Sequence, residues 1–414
     1  MKIAIIGAGI SGLVSAYLLS PEHDITVFEA NDYIGGHTHT VEVSRCDGNF
    51  AVDTGFIVFN EKTYPNFIKL IEKLGAAWQP SNMSFSVQCE KTGLTFCPST
   101  FNSLFTQRKN LVRPSFLRML LDAVRFRRAS SALLHRQQDH ITLGAYLKKE
   151  RYSSAFIDYF IIPMGAAIWS AAPNKFMDFP ARYFVSFFEN HGFLNIKDQP
   201  QWRTIQGGSK QYIAPLIADF KDSIRLNSSV HAVRRHEDGV TLTLKDGSMA
   251  GFDQVVIAAH SDQALHMLAD PSDKEKEILG AIAYQENLTA LHTDASLMPA
   301  HRAAWASWNY RIPKNDMDRV ALTYNMNLLQ SIPSETTFCV TLNMTAAIAP
   351  DKLIKKIIYH HPVYDPKSLA ARRRHEEING IRRTWFCGAY WGYGFHEDGV
   401  NSALAVCKHF GKTI

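Results

Sequence analysis

Three observations in this sequence predict an α/β protein of two intertwined domains. The first is the opening. A short apolar run, Ile3-Ala4-Ile5-Ile6, meets the spacing Gly7-Ala8-Gly9-Ile10-Ser11-Gly12, then a helical stretch over 11–19, then a second apolar run, Ile25-Thr26-Val27-Phe28, ended by Glu29. Strand, glycine turn, helix, strand and acid in that register make a Rossmann-like dinucleotide-binding unit. The second is a further buried-strand run, Val255-Val256-Ile257-Ala258-Ala259, far downstream. The third is an alternating, aromatic-rich block over 285–345, which reads as an antiparallel sheet of a different domain. The chain has 414 residues, 46% of them hydrophobic, enough for two cores.

Taken in order, the elements each have a reason. The opening reads as a strand and not a secretory leader, because three glycines interrupt the apolar run and 17–21 lacks an A-x-A-like site. Strands at 41–43 and 50–53 flank a turn at Asp47-Gly48-Asn49. A helix over 64–74 carries Phe67, Ile68, Leu70, Ile71 and Leu74 at helical spacing and stops at Gly75. A hairpin joins 85–87 to 94–96. Residues 101–160 are helical in pattern, with Phe116, Leu117, Leu120, Leu121 and Val124 expected on one buried face, and arginines 113, 118, 125, 127, 128 and 136 around it. Strands return over 224–260: Ile224-Arg225-Leu226 comes first, then 231–235 and 240–244 form a hairpin-like meander turning at Asp238-Gly239 and Asp246-Gly247. Antiparallel strands are expected at 288–292, 304–310, 320–326 and 337–343, and a last helix from 400 or 401 to 410.

Composition narrows the function. Charged residues are 20% and the net charge is +5, which does not indicate nucleic acid. Six cysteines make no C-x-x-C pair and no metal spacing, as expected of reduced thiols in a cytoplasmic protein without a metal site. The basic stretch 108–136 reads either as a membrane-surface patch or as a solvated helix face. Asp53-Thr54-Gly55 mimics half of an aspartic protease site, but no second such triplet occurs.

The glycine turn specifies chemistry. Gly7 permits the tight turn, Gly9 lets backbone approach a diphosphate, and Gly12 lets helix and strand pack closely. Amides at Ile10 and Ser11 open the helix toward the phosphates. Glu29 is placed to accept hydrogen bonds from ribose hydroxyls.

After Glu29 comes Ala30-Asn31-Asp32-Tyr33-Ile34-Gly35-Gly36, an acid followed by a short loop and a Gly-Gly pair. This resembles flavoproteins of the amine oxidase, phytoene desaturase and protoporphyrinogen oxidase superfamily. Three further segments resemble the same superfamily: Gln206-Gly207-Gly208-Ser209 with Tyr212 and Leu216; Ser229-Val230; and the tail from Phe386-Cys387-Gly388-Ala389 to Gly394-Phe395-His396-Glu397-Asp398-Gly399-Val400. Within the superfamily, 53–60 and 291–294 are most similar to a bacterial group of predicted NAD/FAD-binding proteins. The resemblance implies a GR2-type FAD-binding domain from 1–60, 201–280 and 378–414, and a substrate domain from 61–200 and 281–377. It implies FAD, held non-covalently because no cysteine anchoring motif is present. It places the far half of FAD along Gly35 and Gly36, with His37 and Thr38 next to it; Gly55 and Phe56 beside the flavin; Val230 against the adenine; Ala30, Ala259 and Gly388 along the cofactor; Glu397 near the diphosphate and ribityl chain; and a helix N-terminus near Val400 at the pyrimidine edge. Many members carry arginine after Gly-Gly, where this chain has His37.

The implied reaction is hydride acceptance at flavin N5 from a C–H bond of a small, apolar substrate, with Phe395 and His396 as candidate catalytic residues. Phe395 stands roughly where monoamine oxidases carry a cage tyrosine, which argues against simple amine oxidation. Superfamily enzymes often use a lysine near N5; Lys314 is no more than a guess for it, and no general base is assigned. His37 and His39 read as hydrogen-bonding partners near the cofactor in preference to metal ligands or a covalent flavin link. The rival functions are a flavin-dependent isomerase without net redox change and a non-catalytic binding protein of the same fold. The electron acceptor is not encoded in any motif.

Overall fold

In the computed structural model, which describes residues 1–134, 141–192, 200–315 and 317–414, the apolar runs predicted as strands meet in one parallel sheet. Its order is Ile224–Arg225, Asp24–Phe28, Lys2–Ile6, Gln254–Ile257, Thr384–Phe386. The runs are continuous because both faces are covered. Ile3 and Ile5 point to a layer holding the helices Ile10–Leu19 and His396–Lys408, whereas Ala4 and Ile6 point to the opposite layer. That layer holds the meander Val230–Arg235, Val240–Leu244, Met249–Phe252 and the helices Ser261–Met267 and Asp273–Leu279. This is the expected Rossmann-like core, assembled from the start, middle and end of the chain.

A seven-stranded sheet forms the second body, in the order Leu353–Pro362, Tyr284–His292, Cys339–Leu342, Leu322–Asn325, Trp308–Ile312, Phe85–Cys89, Thr95–Phe96. It departs from expectation three times. Trp308–Ile312 runs parallel to Phe85–Cys89, so the sheet is mixed. The strand Leu353–Pro362 was not anticipated; its sequence LIKKIIYHHP is polar because it is an edge strand, with Lys355 and Lys356 exposed. The predicted strand over 304–310 begins only at Trp308, after a single turn at Arg302–Ala304.

Helices from 101 to 190 cover this sheet through an aromatic core that includes Phe126, Phe156, Trp169, Phe176, Phe184 and Phe187. Within it the helix Pro114–Ala129 corrects the sequence reading. Phe116, Met119, Asp122 and Phe126 face inward, whereas Leu117, Leu121 and Val124 are exposed. Steps of three and four residues from Phe116 select the inner stripe, where Leu120 also packs half-buried, whereas Leu117 and Leu121 sit about 100° around the helix from their inward neighbours. Arg136 lies outside the described residues.

Candidate active site and cofactor cradle

A cavity of about 940 Å³ runs from the carboxyl ends of the parallel strands into the aromatic core between the two bodies. That location, outside the strand ends of an open α/β sheet, is where such folds bind ligands.

The cradle is built from backbone. Gly7 has φ +103° and donates its amide to Phe28 O at 2.8 Å; a Cβ there would sit 2.7 Å from Ala258 O. A Cβ on Gly12 would fall 1.9 Å from Gly7 O, so only glycine lets this helix lie against its strand. Gly9 differs, since a Cβ on it would meet nothing within 4 Å. It faces the open cavity and caps the Ile10–Leu19 helix, whose first amides have no intrahelical partner. Gly35 and Gly36 fold back onto this turn: Gly35 donates to Ala8 O at 2.9 Å, and a Cβ on Gly36 would be 3.1 Å from Gly9 Cα. Glu29 is buried and lines the cavity. One of its oxygens accepts Ala8 N–H at 2.8 Å and the other accepts Asn31 N–H at 2.9 Å. Open amides at a helix start, glycine backbone on both sides, an acid at a strand end and a long cavity fit an extended dinucleotide such as FAD.

Farther in, Phe56 and His396 stack in parallel, ring centroids 3.7 Å apart, and both line the cavity. His396 is hydrogen-bonded to Tyr212 Oη at 2.7 Å and Thr38 Oγ1 at 3.3 Å. Burial and the neighbouring His37 push its pKa down to about 3, so the ring is neutral. Phe395 caps the closing helix, stacks on Phe187 at 5.3 Å and joins a wall with Trp169, Tyr364 and Tyr393. Its amide donates to Asp398 at 2.9 Å, a carboxyl that burial lifts to about 6. Among the described residues Trp169 Nε1 and Trp308 Nε1 have no hydrogen-bond partner.

Of the residues expected at the site, Gly7, Gly9, Ile10, Ser11, Glu29, Ala30, Gly35, Gly36, His37, Gly55, Phe56, Val230, Ala259, Gly388, Phe395 and His396 line this cavity. Four expected cofactor contacts stand behind its wall. Gly12 acts through packing alone. Thr38 is buried against Tyr212 and His396. Glu397 turns away: its carboxylate accepts the amides of Asn66 at 3.0 Å and Phe67 at 2.8 Å, capping the helix Pro65–Lys73. Val400 is fully buried in the second turn, because the closing helix starts at His396 and not at 400. The amides at that helix start are therefore those of His396, Glu397 and Asp398.

Asp53 is a structural hub. Its buried carboxylate accepts Ser209 N–H at 2.9 Å, Ser209 Oγ at 2.8 Å, Thr40 Oγ1 at 2.6 Å and Gln330 Nε2 at 2.8 Å. His39 lies between Tyr359 Oη and Lys355 Nζ, each at 3.2 Å. Among the described residues no group of three His, Cys, Asp or Glu side chains could hold a metal. Lys314 is exposed and away from the cavity, and among the described residues no lysine or arginine lines it.

Sequence reasoning missed His191, His260, His360, His361, Trp169, Tyr284 and Tyr364, all of which line the cavity. They come from separate segments with no shared motif. Tyr393, two residues before Phe395 in the glycine-rich tail, was the one within reach of a motif.

Comparison with known proteins agrees with this fold. The profile of the flavin-containing amine oxidoreductases matches residues 10–293. A Mycobacterium tuberculosis protein named as a flavin-containing monoamine oxidase is 27% identical over 273 residues, 62% of this chain and 57% of its own length. The chain thus spans little more than half the length of such relatives. Two solved structures share the fold at a TM-score of 0.69: a putrescine oxidase with putrescine bound, at 14% identity over 99% of both chains, and a CLA-producing fatty acid isomerase from P. acnes, at 16% over 99% of this chain and 98% of that one. The chain belongs to the flavin-containing amine oxidoreductase family, and its cofactor is FAD.

Proposed function

We propose that this chain is an FAD-dependent oxidoreductase that dehydrogenates or desaturates a small, largely apolar molecule. The observation that carries the reading is the cavity: one end is a dinucleotide cradle, and the other is an aromatic chamber without a lysine or arginine among its described lining residues. The fold serves a putrescine oxidase and a fatty acid isomerase alike, so likeness does not choose between amine and acyl substrates. The wall favours the second, since among its described residues the chamber offers no carboxylate to hold an ammonium group; Glu29 and Asp262 belong to the cradle end.

Gly9, Ile10, Ser11, Gly36 and Glu29 would hold the cofactor's diphosphate and ribose, with Val230 at the adenine and Phe56 and His396 nearer the flavin. When bound, FAD supplies a hydride acceptor. Phe395, Phe187, Trp169 and Tyr393 exclude water and orient the substrate. His396, neutral and fixed by Tyr212 and Thr38, keeps Phe56 in its plane. The test is an anaerobic screen of the yellow protein. Fatty acyl or polyene substrates are expected to bleach the flavin and leave it bleached. Bleaching by polar amines alone overturns the reading. Product formed with the flavin returned to its starting state supports isomerisation in its place.

An apolar substrate suits delivery from a lipid surface, and the outward stripe of the Pro114–Ala129 helix supports this. Val112 is 81% exposed and Leu121 67%, with Phe101, Leu117 and Val124 beside them. Arg108, Lys109, Arg113, Arg118, Arg125 and Arg128 surround the stripe; the single acid over 101–129, Asp122, is buried under Arg118 and Arg125. Vesicles with anionic lipid should pellet the protein at low salt. Leu121→Glu with Val112→Glu should abolish pelleting and leave thermal stability unchanged. Equal recovery with neutral vesicles overturns the surface reading and leaves the chemistry untouched.

A further inference from the structure

FAD brings a dianionic diphosphate to a cavity whose described lining holds seven histidines and no permanent cation. A helix N-terminus offers only about half a positive charge. Four of the histidines converge beside the cradle. His37 directly follows Gly36, and its backbone is pinned by Phe56 N–H donating to its carbonyl at 2.7 Å. Its ring stacks on Tyr359 at 4.8 Å and meets the edge of His361 at 5.7 Å. His260 stands 6.1 Å from His360 across the same wall.

His361 is locked as a neutral donor. Asn287 Oδ1 accepts from Asn343 Nδ2 at 2.8 Å, so its own Nδ2 is the group that faces His361 Nδ1 at 2.9 Å. Nδ1 must accept, which leaves the proton on Nε2. His37 has no such lock, since no hydrogen bond to its ring is formed by the described residues. We propose that His37 is the counter-charge to the cofactor diphosphate, taking up a proton as FAD binds, with His361 as a neutral donor beside it.

The surroundings set the sign. The groups facing His37 are His39, itself against Lys355; His396, held by Tyr212; His361 and His360, the latter 3.9 Å from Glu286; His260 and Asp262 across the cavity; and the Tyr359 and Tyr284 hydroxyls. Burial first, then His260, His360 and His39, hold the free protein's His37 down at about 4, so it is neutral at pH 7. A bound dianion favours the imidazolium and raises that value in the complex. Affinity is then greatest below pH 4 and falls as pH rises through the raised value, by up to about tenfold per pH unit for one linked proton.

Calorimetric titration of apoprotein with FAD at pH 7, in two buffers of different ionisation heat, reads this directly. The wild type should take up close to one proton. His37→Arg should bind with no uptake and a flat pH profile, and His37→Gln should bind more weakly, also without uptake. Binding of FAD by the wild type without proton uptake, or uptake unchanged in His37→Gln, overturns the proposal while leaving FAD as cofactor. Histidine nitrogen NMR of wild-type protein gives a reading that needs no variant. One ring should turn from neutral imidazole to imidazolium when FAD is added, and all rings remaining neutral overturns it.

Discussion

Glu397 shows how a side chain's partners, and not its place in a motif, decide its work. By position it reads as a cofactor contact; in the fold it caps the helix Pro65–Lys73 through two amides. Hydrogen bonds to a buried charged acceptor contribute about 1.5–3 kcal/mol. Glu397→Ala should lower the unfolding free energy by about 2 kcal/mol in chemical denaturation, while FAD still binds one to one. Asp53 behaves alike: it accepts four hydrogen bonds, and an amide in its place turns a donor toward Ser209 or Gln330. Asp53→Asn should cost about 2 kcal/mol or more in the same measurement.

At the scale of elements, the first strand, turn and helix separate folding from binding. Gly12 is needed by the fold, because a methyl would strike Gly7 O at 1.9 Å, whereas Gly9 has open space and an ordinary φ of −77°. Gly12→Ala should therefore lose both stable folding and flavin. Gly9→Ala should keep its circular dichroism and unfolding midpoint as apoprotein, yet lose FAD in a fluorescence titration, since its methyl projects where the cofactor's backbone contact belongs. Full FAD binding by Gly9→Ala would mean the diphosphate lies elsewhere. Much of this unit was legible, since buried parallel strands leave continuous apolar runs and a phosphate turn leaves glycines at set spacing. The helix Pro114–Ala129 was misread for an equally physical reason: it carries apolar residues on two stripes, and periodicity alone does not say which one meets the core.

Across the whole molecule, FAD is expected to join what the chain separates. Gly7, Gly9, Ile10 and Ser11 from the start of the chain and Gly388, Phe395 and His396 from its end line one cavity, and Trp308 and Tyr324 from the 308–325 strands line it as well. A ligand that binds only the folded state stabilises it by RT ln(1 + [L]/Kd), about 2.7 kcal/mol at a hundredfold excess over Kd. The apoprotein's thermal midpoint should climb steadily with free FAD, and the flavin-binding and substrate-side segments should melt in one transition. A midpoint indifferent to FAD would contradict the shared cavity.

The nucleotide-binding fold and its glycine turn were readable from the amino-acid order alone, because both depend on local backbone geometry and on which runs must be buried. The segment at 229–230 and the start of that at 386–400 sit at strand ends and were readable for the same reason, whereas the closing helix, expected from 400 or 401, begins at His396. The histidine wall, the aromatic chamber and the true partner of Glu397 emerged only on folding. His37, in the loop after Gly36, His260, after the strand Gln254–Ile257, and His361, on an edge strand, are widely separated in the chain, and their meeting at one surface leaves no trace in local sequence.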